Sequence, residues 1–117
     1  MSISKEAVFE KMKQANVVVL DVMPEGEFQK LHIQGSYNLP LAEDFGAFAR
    51  EVERQYGKEK FFILYGSNIT SYSAIEATEA LQKRGFEAEA YLGGMKEWIG
   101  VGLPAEGTYA SKKAIFQ

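Results

Sequence analysis

Two short apolar runs, Val17-Val18-Val19-Leu20 and Phe61-Phe62-Ile63-Leu64-Tyr65, constrain this chain more than any other feature in it. The first is β-branched, too short to be a helix and apolar at every position, which marks a central strand buried on both faces and ending at Asp21. The second reads as another buried strand. Such strands belong to parallel sheets, and the segments between them carry helical patterns. Ser4 is placed to cap a first helix reaching about Gln14, with Val8 and Met12 one turn apart and Glu6 near the positive helix end. Pro24 opens a turn and a short helix to Lys30, residues 32–36 form a bend, and 37–39 a brief strand before Pro40. From Leu41 onward Phe45, Phe48, Val52 and Tyr56 recur at spacings of 3 or 4, with Glu43, Asp44, Arg50, Glu51 and Arg54 mostly opposite, and Gly57 ends the pattern. After the second strand, residues 66–71 form a tight polar loop and 72–84 a helix with the small-residue seam Ala74, Ala77 and Leu81, closing on Lys83 and Arg84 before Gly85. A strand over 87–92, the pair Gly93-Gly94, a short helix over 95–99 and Gly102-Leu103-Pro104 complete the series. The expectation is an α/β domain with a central, mainly parallel sheet of about five strands and helices on both faces.

A chain of 117 residues holds one hydrophobic core. The domain is expected over 1–107, with 108–117 a tail whose Lys112, Lys113, Ile115 and Phe116 offer either a docking segment or disorder. A formal net charge of −3 and no basic stripe argue against nucleic-acid partners. No stretch approaches the roughly 20 apolar residues of a membrane span, and the start of the chain lacks a basic-then-apolar leader, so a cytoplasmic location is expected. There is no cysteine and only one histidine, which excludes disulfides, cysteine-based metal sites and a His-rich zinc site. No cofactor or metal is expected.

The loop over 66–71 is the candidate site. A strand, a tight loop and a helix start point backbone N–H groups at one spot, where an anion or a nucleophile belongs. Ser67, Asn68, Thr70 and Ser71 offer hydrogen bonds. A hydroxyl nucleophile needs a neighbouring base, and His32 lies in the bend over 32–36, where a structural hydrogen-bonded role is expected. Ser71 and Ser73 read as helix caps, and Ser73 with Glu76 fits a capping box, placing a negative charge where an incoming anion would otherwise meet the helix dipole. Asp21, at a strand end, is expected to pair structurally or to bind a ligand. Gly93 and Gly94 are read as a close turn, and Trp98 with Leu103 as closure of the core.

Three ordered motifs resemble the rhodanese-like domain family over roughly residues 4–106. Leu20-Asp21-Val22 resembles its Leu-Asp-Val-Arg start. His32-Ile33-Gln34-Gly35-Ser36-Tyr37-Asn38-Leu39-Pro40 resembles its His-Ile-x-Gly-Ala-x-Asn-x-Pro signature, and Tyr91-Leu92-Gly93-Gly94-Met95-Lys96-Glu97-Trp98 its Gly-Gly-x-x-x-Trp box. The resemblance implies a site in the loop after Tyr65, where family members carry a persulfide-forming cysteine ringed by backbone N–H donors. Here that position is Gly66, the frequent second functional position is Ser71, and Met23 stands where the family usually has arginine. Neither glycine nor a hydroxyl can hold sulfane sulfur. The expectation is therefore an inactive family member acting as a binding or regulatory module. Its vestigial site would be Gly66, Ser67, Asn68, Ile69, Thr70, Ser71 and Tyr72, with Asp21 and Met23 at the rim and another protein or a small anion as partner. The rival is an enzyme that uses a loop hydroxyl or a cysteine supplied by a partner. A chain altered at position 66 is a lesser alternative.

Overall fold

The structure, a computed structural model, describes residues 2–41, 44–67 and 72–110. Strands β1 (Val17–Asp21), β3 (Tyr37–Asn38), β4 (Phe61–Tyr65) and β5 (Glu87–Tyr91) form a parallel sheet in the order β3-β1-β4-β5. The two apolar runs thus become neighbouring inner strands, each buried at four of its five positions. Beyond β5 the chain start adds one parallel bridge, Ser2 to Ala90, with the Ile3 N–H donating to the Ala90 carbonyl at 3.0 Å. That bridge takes the place of a fifth strand.

Helices lie on both faces. On one, α3 (Phe45–Tyr56) and α4 (Ser73–Gln82) pack Phe48, Ala49, Val52, Ala74, Ala77 and Leu81 onto Val18, Leu20, Phe62, Leu64, Ala88 and Ala90. The small seam of α4 is wholly buried, and short side chains there let the helix axis approach the sheet. On the other, α1 (Lys5–Lys11) and α5 (Gly94–Gly100) bring Val8, Met95 and Trp98 against Val19, Ile63, Tyr65 and Tyr91.

The helix bounds differ from the sequence pattern in two places, the start of α3 and the end of α1. Asp44 is the N-cap of α3, its carboxylate accepting from the Gly46 and Ala47 N–H groups, so the helix begins four residues after Leu41 and Asp44 leaves the polar face. A short acceptor at the cap outweighs continuation of the apolar stripe. Ser4 caps α1 as expected, with the Ala7 N–H at 3.2 Å, although the α-helix ends at Lys11. Gly57 closes α3 with φ of 75°, which glycine adopts without a Cβ penalty.

A second small sheet was not legible in the sequence: β2 (His32–Ile33) pairs antiparallel with β6 (Ala105–Glu106), and α2 (Glu25–Lys30) precedes it. This flap sits by the carboxyl ends of β1 and β4, held by the Tyr65 hydroxyl, which accepts from the Ile33 N–H at 3.0 Å. No helix among the described residues is long and apolar enough to cross a membrane.

Candidate functional site

The sheet register sets Asn38, Asp21, Tyr65 and Tyr91 in one row across the carboxyl ends of the strands. Asp21 and Tyr65 project to the α1/α5 side, following the period-two alternation from Val19 and Ile63. The loop leaves directly from Tyr65.

Gly66 is buried and Ser67 exposed. Their carbonyls point into the start of α5: the Met95 N–H donates to the Gly66 oxygen at 3.0 Å and the Lys96 N–H to the Ser67 oxygen at 2.8 Å. First-turn N–H groups lack intrahelical acceptors, so the loop supplies them. Those donors are consequently committed to the protein and not free for an anion. Asn68, Ile69, Thr70 and Ser71 lie outside the described residues.

At α4 the proposed Ser73–Glu76 capping box does not form. The N-cap is Tyr72, exposed and with no side-chain cap hydrogen bond, and its carbonyl already accepts from the Glu76 N–H at 3.0 Å. Ser73 is therefore the first helical residue, one position too late to act as the cap in that motif. A negative Glu76 in the first turn remains.

Asp21 is fully buried. One carboxylate oxygen, Oδ1, accepts from the Met23 N–H at 2.8 Å, whereas Oδ2 has no hydrogen-bond partner. Burial pushes the carboxyl up to about 6, against the opposing pull of the Met23 N–H, the nearby Tyr65 hydroxyl and the His32 ring. The expected structural pairing of Asp21 is thus only half made. Asn38 ties the same corner together, its amide donating to the Asp21 and Met23 carbonyls at 3.1 and 2.9 Å. Met23 itself packs against the second core cluster.

Tyr65 and Ser36 are the site residues that sequence reasoning missed. Ser36 Oγ donates to the Ile33 carbonyl at 2.7 Å and lies 3.0 Å from the Tyr65 hydroxyl. Burial, followed by the Asp21 charge, holds the Tyr65 phenol well above its ordinary range. The available signal was a tyrosine closing a strand otherwise made of Phe, Ile and Leu, since a buried phenol needs a polar partner at its tip. His32 has the structural role expected of it. Its ring stacks on Phe28 at 3.8 Å, Nδ1 donates to the Phe28 carbonyl at 2.7 Å, and Nε2 faces Glu106 Oε1 at 3.6 Å.

The closing corner is complete in itself. Trp98 is fully buried and its indole N–H donates to the Pro104 carbonyl at 2.7 Å, while the Tyr91 hydroxyl donates to Glu97 Oε1 at 2.7 Å. A Cβ at Gly93 would stand 2.1 Å from that Glu97 oxygen, so the residue here must be glycine for the pair to sit where it does. Elsewhere a cavity of about 350 Å³ runs along α4 and β5, lined by Ile75, Thr78, Gln82 and Ala90 among others.

This arrangement defines a class: a parallel α/β domain with an aspartate closing its first strand and a glycine-tryptophan box closing the fold. The chain belongs to the rhodanese-like domain family, whose model, described as Rhodanese-like domain, matches residues 4–100. It is also 27% identical over 105 residues to the HTH-type transcriptional regulator Rv0324 of Mycobacterium tuberculosis (strain ATCC 25618 / H37Rv). That match takes in 90% of this chain and 44% of the regulator, so the chain spans less than half the length of this curated relative. Among solved structures, the rhodanese-like domain of Anabaena sp. Alr3790 superposes with a TM-score of 0.78 at 20% identity, over 95% of this chain and 82% of that one. A full-length protein from Lactobacillus plantarum gives a TM-score of 0.75 at 26% identity, over 91% and 87%. The domain is a rhodanese-like fold without a cysteine.

Proposed function

We propose that this domain is a rhodanese-like module that binds or regulates another protein and performs no sulfur transfer of its own. One observation carries the reading: the position that would bear the sulfur is Gly66, and its carbonyl is spent on the α5 N-terminus. Sulfane sulfur needs a thiolate to attack and then to carry it, and these 117 residues contain none. The likeness to a protein named a transcriptional regulator supports a role in which the fold serves as one part of a larger regulatory unit.

A protein partner is favoured over a small anion. The Met95 and Lys96 N–H groups already hold loop carbonyls, and the first turn of α4 carries Glu76. An NMR titration with thiosulfate, sulfate and phosphate tests this directly through the amides of Gly66, Ser67 and Tyr72. The expected result is no saturable shift at millimolar anion. A saturable shift confined to those amides would replace the protein partner with an anion ligand.

A further inference from the structure

β5 is an outer strand of the sheet, and its alternation sorts its side chains between the two faces. Ala88 and Ala90 lie in the core under α3 and α4, so Glu87 and Glu89 stand on the α1/α5 side. Among the described residues, the strand-like neighbour beyond β5 is the single bridge from Ser2 to Ala90. At Ala88 the carbonyl accepts instead from Gln82 Nε2 at 2.8 Å, an exposed side chain of α4 standing in for a further strand. The Ala88 N–H points the same way, because a strand turns both polar groups of one residue toward one neighbour. On the α4 side of this edge lies the cavity of about 350 Å³, with apolar walls from Ile75, Ala90 and Leu92. Thr78 also lines it; that residue is 4% exposed, and its Oγ1 has no hydrogen-bond partner. Buried hydroxyls are normally paired, so this one marks a place where the domain's own packing is incomplete.

We propose that this edge binds an extended basic segment of a partner protein, added as a strand beside residues 87–89, its side chains alternating between the cavity and the two carboxylates. The partner residue opposite Ala88 faces the cavity, and those opposite Glu87 and Glu89 lie beside the carboxylates. Opposite charges facing each other on neighbouring strands stabilise the pair, and like charges oppose it. Glu87, Glu89 and Glu79 at the cavity rim form no ion pair with any described residue, so all three can take a cation. A second copy of this chain is disfavoured here, because its own Glu87 and Glu89 would meet these. The segment that fits therefore alternates arginine or lysine with a small apolar residue. This inference rests on the reading that the domain binds another protein, and it names the face and the partner's chemistry.

The test is an NMR titration of the whole chain with a short capped peptide of alternating arginine and valine. Two further peptides, one alternating glutamate with valine and one alternating arginine with serine, are run beside it. The arginine–valine peptide should give saturable shifts at the amides of Thr78, Gln82, Glu87, Ala88 and Glu89. The arginine–serine peptide should bind more weakly, and the glutamate–valine peptide should leave those amides unmoved. Glu87→Gln combined with Glu89→Gln, both at the sheet edge, should weaken the arginine–valine peptide about fivefold and flatten its salt dependence. The edge site is overturned if no saturable shift appears, if the glutamate–valine or arginine–serine peptide binds as tightly, or if the double variant binds unchanged. Saturable shifts confined to the amides of Gly66, Ser67 and Tyr72 would also overturn it while leaving the protein-binding reading in place.

Discussion

Two corners at the carboxyl end of the sheet are built to different standards. Where β5 meets α5, Trp98 and Tyr91 each find a hydrogen-bond partner at 2.7 Å, and Gly93 leaves room for the Glu97 carboxylate. Where β1 ends, Asp21 is equally buried yet one of its two oxygens has no partner, and the side chain two residues on is the apolar Met23. The first corner keeps the family's glycine-tryptophan box; the second departs from the family's arginine, and the loop beside it departs from the family's cysteine. The unpartnered Asp21 oxygen thus lies two residues before the position where Met23 replaces the family's arginine; the other buried side-chain oxygen without a partner among the described residues is Thr78 Oγ1, on α4.

The largest effect should come from breaking the intact corner. Trp98→Ala removes a fully buried indole with its hydrogen bond and should cost about 3–5 kcal/mol in urea unfolding, enough to unfold a marginal domain. The unsatisfied corner should respond in the opposite sense. Asp21 binds its proton more tightly when folded than when unfolded, so the folded state is favoured by this group at low pH. That contribution falls as pH rises from about 4, the unfolded value, through about 6, and is constant above. Asp21→Asn should therefore match the unaltered chain near pH 4 and exceed it at pH 7 by up to about 3 kcal/mol, the full two-unit shift. Equal stability at both pH values would place the two corners on the same footing. The smallest effect is expected at Gly93→Ala, where the added Cβ displaces the end of the Glu97 side chain and costs about 1 kcal/mol, roughly one hydrogen bond.

The intact corner and the sheet were legible because their signals are local. Continuous apolar runs gave β1 and β4, the small seam gave the buried face of α4, and Gly57 marked a helix end. The start of α3 was misplaced because Leu41 and Phe45 keep the helical spacing although Asp44 caps the helix between them. The β2–β6 flap was invisible: two-residue strands carry no periodicity, and their partners are over 70 residues apart. The Tyr65–Ser36 contact was missed for the same reason, since the sequence places Tyr65 at a strand end but not the serine hydroxyl that the bend brings to it. Of the candidate site, Gly66 and Ser67 are found with their carbonyls on α5, Tyr72 as an exposed cap, and Asp21 with its carboxylate accepting from the Met23 N–H.

Whether this fold has given up sulfur transfer is read from thiosulfate-to-cyanide turnover measured on the unaltered chain and on Gly66→Cys. No turnover above the uncatalysed rate is expected for the unaltered chain, and at best poor turnover for Gly66→Cys, because Met23, Ser71 and Glu76 leave the loop without a compensating cation. Saturable turnover by the unaltered chain, abolished by Ser71→Ala, would contradict it.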